Sequence, residues 1–103
     1  MRRVPVSIKR VRWLALPWVR AMVPRKRVIL VRRDVALTER LLAHELAHVI
    51  QAERHPWPLA YFAQWVASGF SYTNMPFEVE ARKAEREPWY LAWANDILSR
   101  DAV

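Results

Sequence analysis

With 103 residues the chain is sized for one small domain, and 53% hydrophobic content with six tryptophans excludes a disordered polypeptide. Cysteine is absent, which excludes disulfides and thiolate metal sites, so any metal must be held by His, Glu, Asp or water. The formal charge of +7 has its excess before residue 41; such a field attracts nucleic acid, anionic membrane or acidic protein, or solubilises a tryptophan-rich surface, and no nucleic-acid motif accompanies it.

Along residues 1–12, Val4, Val6 and Ile8 alternate with polar or basic neighbours, the pattern of a half-exposed strand, and Pro5 assigns that strand to a sheet edge. Lys9, Arg10, Arg12 and Arg20 interrupt any signal-peptide core, and no run approaches the roughly 20 apolar residues of a membrane span, so a cytoplasmic protein is expected. Leu14, Trp18 and Met22 recur at helical spacing, which predicts a short helix starting near Pro17; a membrane-surface segment of Trp and Arg is the alternative. Arg27 to Arg32 is β-branched and bracketed by charge, a second strand. The small sheet is thus drawn from residues 3–9 and 27–33.

Thr38 is positioned as the N-cap of a helix from Glu39 to Arg54, which Pro56 terminates. Apolar residues occupy most of its circumference, so it is central to the domain. Within it stands His44-Glu45-Leu46-Ala47-His48. Residues four apart lie one turn above each other on one helix face, so His44 and His48 can offer two imidazoles to one metal ion. Glu45 sits in the adjacent radial direction, close enough to orient an activated water and take its proton. Two imidazoles and a carboxylate on so apolar a helix need a reason, because unpaired buried polar groups are costly.

Pro58 opens a second helix, Leu59 to Ser68, whose Leu59, Phe62, Trp65 and Val66 read as packing, with Gly69 as its C-terminal cap. After a loop to Pro76 a third helix is predicted from Phe77 to Arg86. Pro88 then opens a fourth, on which Trp89, Trp93 and Ile97 share a face. There is no internal repeat and no low-complexity linker.

A third metal ligand must come from elsewhere. His55 is one residue out of register with the metzincin pattern, whose third histidine would fall at Arg54 and whose glycine would fall at Gln51. Glu78 and Glu80, at the start of the third helix, can reach the motif helix if the two cross, and helical spacing alone permits either. At this point the sequence resembles the gluzincin-type metallopeptidases, which combine His-Glu-x-x-His with a downstream helix bearing a ligand glutamate. Leu41 to Gln51, together with Pro76-Phe77-Glu78-Val79-Glu80-Ala81, is similar to the paired motifs of minimal bacterial and phage zincin domains over roughly residues 27–86.

The resemblance implies an α+β minimal zincin-like fold, one domain over residues 1–103, with a small sheet and three to four helices. It implies Zn²⁺ held by His44, His48 and Glu78, with Ala81 letting the helices approach. It further implies hydrolysis of peptide bonds by zinc-activated water, with Glu45 as general base. Tyr72, just before the ligand helix, is the expected hydrogen-bond donor to the oxyanion, or else a packing residue. Arg82 departs from the family, standing where relatives have an Asp or Asn that hydrogen-bonds a ligand histidine; Asp96, Glu85 or a backbone carbonyl would have to substitute. The expected partner is a peptide or protein substrate, and exposed tryptophan and basic surface offers a site for a protein partner. Two other readings are a non-catalytic zinc-binding interaction module and a basic nucleic-acid- or membrane-binding domain whose motif is coincidental.

Overall fold

The computed structural model describes residues 2–14 and 18–101. Three strands, β1 (Ser7–Val11), β2 (Ala21–Arg25) and β3 (Val28–Arg32), precede four helices, α1 (Glu39–Arg54), α2 (Leu59–Ala67), α3 (Pro76–Ala84) and α4 (Pro88–Asp101). The α+β expectation holds. The strand order is β1-β3-β2, with β1 parallel and β2 antiparallel to the central β3.

β3 is central because its side chains suit burial: Ile29 and Val31 are wholly inaccessible, while their neighbours are half-buried. β1 lies at an edge, as Pro5 required, but it is displaced from residues 3–9 to residues 7–11, so the proline precedes the ladder instead of interrupting it. The helix expected from near Pro17 needs correction. Pro17 itself lies outside the described residues, and Ala21 to Arg25 form strand β2. A four-residue apolar run carries too little periodicity to separate strand from helix, and here pairing with β3 decided. Pro24 has no N–H to give the ladder, and the register shifts between Met22 and Arg25. Arg27 closes the hairpin at φ 62, its guanidinium bonded to Glu53 at 2.7 Å.

α1 has the bounds that Thr38 and Pro56 imply. The Thr38 hydroxyl accepts from the Leu41 N–H at 3.1 Å, a cap that contributes about 1 kcal/mol. From Leu42 to Ala52 only His44 is not fully buried. The helix packs on β2 and β3 on one side and on α3 and α4 on the other. Leu42, Leu46 and Val49 are completely enclosed, and truncating such a leucine to alanine costs about 2–5 kcal/mol.

α4 closes the core with Tyr90, Trp93 and Ala94. α2 does not pack as its sequence reads. It has no buried residue, and Leu59, Phe62 and Val66 are largely exposed; only its inner face, with Tyr61 and Gln64, meets α3. Trp65 rests under Phe70 and Tyr72, with ring centroids 5.0 and 5.6 Å away. No helix among the described residues is long and apolar enough to cross a membrane.

Candidate metal centre

His44 and His48 stand one turn apart on α1, their rings 5.0 Å apart at 75°. α3 crosses that face with its first turn, and Pro76 at the first helical position sets the entry without requiring an amide partner. Buried Ala81 and Ala84 on α3 and Ala43 and Ala47 on α1 present methyl groups only, which allows close approach of the two backbones. Glu78 is thereby placed between the two imidazoles. Its carboxylate oxygens lie 2.7 Å from His48 Nε2 and 3.1 Å from His44 Nε2. One ligand atom from each of His44, His48 and Glu78 falls within 4.8 Å of the others, the convergence a single cation requires.

Glu80 lies elsewhere. It is exposed, and its carboxylate accepts from Gln51 Nε2 at 3.2 Å. His55 is also outside the centre, at the C-cap of α1 with its ring against Phe77. Tyr72 sits at the mouth of the cleft above the centre, 39% exposed and stacked on Trp65.

Both imidazoles are oriented from behind. His44 Nδ1 donates to Glu85 at 2.9 Å, and His48 Nδ1 donates to the Gln51 side-chain oxygen at 2.8 Å. The Gln51 amide in turn donates to the Phe77 carbonyl at 3.0 Å, tying this support to α3. With Nδ1 so occupied, each Nε2 faces the space shared with Glu78, as outer hydrogen bonds to ligand histidines arrange. Of the substitutes considered for the residue at Arg82, Glu85 takes the role; Asp96 pairs with Arg3 at 2.7 Å, and Arg82 turns to the Thr73 carbonyl. Gln51 thus bridges α1 and α3, a contact that exists only once the two helices are packed.

Tyr61 went unread in the sequence. Its hydroxyl donates to Glu78 at 3.0 Å, and its ring meets His48 edge-on at 5.7 Å. The available signal was slight: Tyr61 carries a polar tip in a helix that is otherwise aliphatic, aromatic or amide.

Electrostatics reinforce the convergence. Burial alone would lower the His44 imidazole. Hydrogen bonds to Glu78 and Glu85 and the charges of Glu45 and Glu78 outweigh burial and push its pKa up to about 9. His48 is raised for the same reasons, burial opposing and Glu78 and Glu45 prevailing. Burial would raise the Glu78 carboxyl, but its hydrogen bonds to the two imidazoles hold it well below the usual carboxylate range. Burial pushes Glu45 up, with the charges of His48, His44 and Arg20 pulling against it.

The donor set fits a metal ion. Two imidazole nitrogens and a carboxylate converge, and beside them one oxygen of Glu45 is buried with no hydrogen-bond partner among the described residues. Such an atom is costly in a folded protein unless the site supplies it a partner. Two recesses meet here, sharing Ala21, His44 and Glu45: an apolar one of about 640 Å³ under Trp18, Met22 and Trp57, and a polar one of about 510 Å³ bordered by Arg20, Arg40 and Arg82. Compared with known proteins, the chain matches no family model, no curated protein and no solved structure.

Proposed function

We propose that this protein is a zinc-dependent peptidase of the minimal gluzincin type. The observation that carries the reading is the meeting of His44, His48 and Glu78, in an open cleft, beside a Glu45 oxygen that has no hydrogen-bond partner among the described residues. Nitrogen and carboxylate donors without thiolate or a further carboxylate cage favour zinc over calcium or magnesium. When bound, zinc polarises a carbonyl and makes water a competent nucleophile near neutral pH.

The protein's own groups account for the remaining chemistry. Hydrolysis adds hydroxyl to the carbonyl carbon and a proton to the departing nitrogen. Glu45, with its pKa lifted by burial, is suited first to accept the water proton and then to deliver it to that nitrogen. Glu85 and Gln51 hold the imidazoles in the tautomer that leaves Nε2 facing the centre. Tyr61 restrains Glu78, while the Tyr72 hydroxyl at the cleft mouth donates to the oxygen on which negative charge develops. β2 is the edge strand beside the cleft, and among the described residues no strand pairs with its outer side, so an extended peptide backbone has groups to bond there.

A non-catalytic zinc staple explains the three ligands but gives Glu45 no task. The test is to load the protein with zinc and measure cleavage of a mixed peptide pool by wild type and Glu45→Gln. Hydrolysis by the wild type that vanishes in the variant, at equal zinc content, supports the proposal. Equal cleavage by both proteins refutes it, as does no cleavage by either at full occupancy.

A further inference from the structure

The two recesses that meet at His44 and Glu45 differ in chemistry. The larger is walled by Trp18, Met22, Trp57, Tyr61 and Tyr72 and, among the described residues, is lined by no arginine or lysine. The other brings together arginines from three separate elements: Arg20 before β2, Arg40 in the first turn of α1 and Arg82 near the end of α3. Residues that far apart in sequence line one recess only through the tertiary fold.

Two carboxylates face three arginines there, so the offset is partial. The Arg40 side chain is exposed and has no hydrogen bond or ion pair among the described residues. Arg82 donates to a neutral carbonyl of Thr73, and Arg20 acts on Glu45 only through space. The carboxylates that face the recess are Glu85, committed to His44, and Glu45. A recess with three guanidiniums offers planar, multidentate donors for carboxylate.

We infer that the cleft selects peptides carrying an acidic side chain on one side of the bond to be cut and a bulky apolar side chain on the other. This specificity rests on the peptidase reading, because it takes the bond between the two side chains to lie over His44 and Glu45. Charge complementarity decides the polar side, and the aromatic wall decides the apolar side. An extended backbone advances about 3.3 Å per residue, so both preferences fall within a few residues of the cleaved bond.

The test uses quenched fluorescent peptides that differ only around a central Ala-Ala: acidic then apolar, apolar then acidic, and the same two with lysine replacing the acidic residues. Cleavage by zinc-loaded wild type is compared with binding, by fluorescence anisotropy, to the Glu45→Gln protein. One acidic peptide should exceed its lysine counterpart about tenfold in both assays at low salt, and the ratio should shrink in 0.5 M salt, where the screening length drops to roughly 4 Å. Arg40→Glu should cut that ratio about fivefold, with Arg82→Gln as the second variant and zinc affinity as the check on folding.

Equal treatment of acidic and lysine peptides, or a ratio indifferent to both substitutions, overturns the inference. Cleavage without charge preference would refute the specificity and leave the peptidase standing. Charge-dependent binding that responds to Arg40→Glu, with no peptide cut by zinc-loaded wild type, would refute the peptidase reading and with it the inference about a cleaved bond.

Discussion

Replacing Glu78 with glutamine removes one negative charge and little else. In the wild-type protein this carboxylate accepts from His48 Nε2 at 2.7 Å, from His44 Nε2 at 3.1 Å and from the Tyr61 hydroxyl at 3.0 Å, with 14% of the side chain exposed. The His44 pKa stands at about 9 against an ordinary 6.5. At about 1.4 kcal/mol per pKa unit, the metal-free protein draws roughly 3 kcal/mol from that group, and Glu78 supplies a large share. Because the folded pKa lies above the unfolded one, this stabilisation is complete below pH 6.5 and disappears as pH rises through about 9. The Glu78 carboxyl is held below its ordinary 4.5, so its own contribution is present above that pH and is lost as pH falls through the lowered value.

Glutamine keeps the volume and an acceptor for Tyr61 but cannot neutralise an imidazolium. The metal-free variant should lose about 2 kcal/mol at pH 6, a fall in Tm of roughly 8–16 °C for a domain of this size, and much less at pH 9.5. Zinc at about 100 times its Kd should stabilise wild type by about 2.7 kcal/mol, and most of that gain should vanish with the ligand charge. Glu80→Gln is the control: exposed and, among the described residues, hydrogen-bonded only to Gln51, it should leave both quantities within about 0.5 kcal/mol of wild type. Thermal melts followed by circular dichroism at the two pH values, with and without zinc, measure all four cases. A variant at Glu78 that melts like wild type at pH 6, or a zinc gain that survives in Glu78→Gln and disappears in Glu80→Gln, would refute the reasoning.

Three further outcomes follow from the same geometry. Glu45→Gln should lower peptide hydrolysis about 10²- to 10⁴-fold while zinc still raises the Tm, read by assay and melt on one preparation; loss of both would make Glu45 part of the metal's holding. Glu85→Gln replaces the acceptor behind His44 and should weaken zinc about 10- to 100-fold in a chelator competition, and unchanged affinity would deny it an orienting role. Gln51→Leu leaves the His48 Nδ1 donor unpaired in a buried setting and should cost about 1–3 kcal/mol in urea denaturation, whereas a neutral result would mean the ring turns to another partner.

The bounds of α1 were legible because the cap at Thr38 and the stop at Pro56 act within a turn of chain, and the four-residue spacing of His44 and His48 guarantees one face. The α+β class followed from β3 and the proline-punctuated helices in the same local way. β2 was not legible, since a short apolar run before Pro24 is compatible with either period and only pairing with β3 selects one. Nor was the outward face of α2, whose Leu59, Phe62 and Val66 look like core until the position of its neighbours is known.

At the centre the division is sharper. Helical spacing put two imidazoles side by side but left Glu78 and Glu80 as alternatives for the third ligand. The packing of α3 on α1 turns Glu78 to the histidines and Glu80 to Gln51. Glu85, Gln51 and Tyr61 join the site, and Arg20, Arg40 and Arg82 line one recess, for the same reason. Capping and periodicity are forces between residues a few positions apart, so they are written along the chain. Which side chains meet across two packed helices depends on crossing geometry, and that exists only once the core has closed.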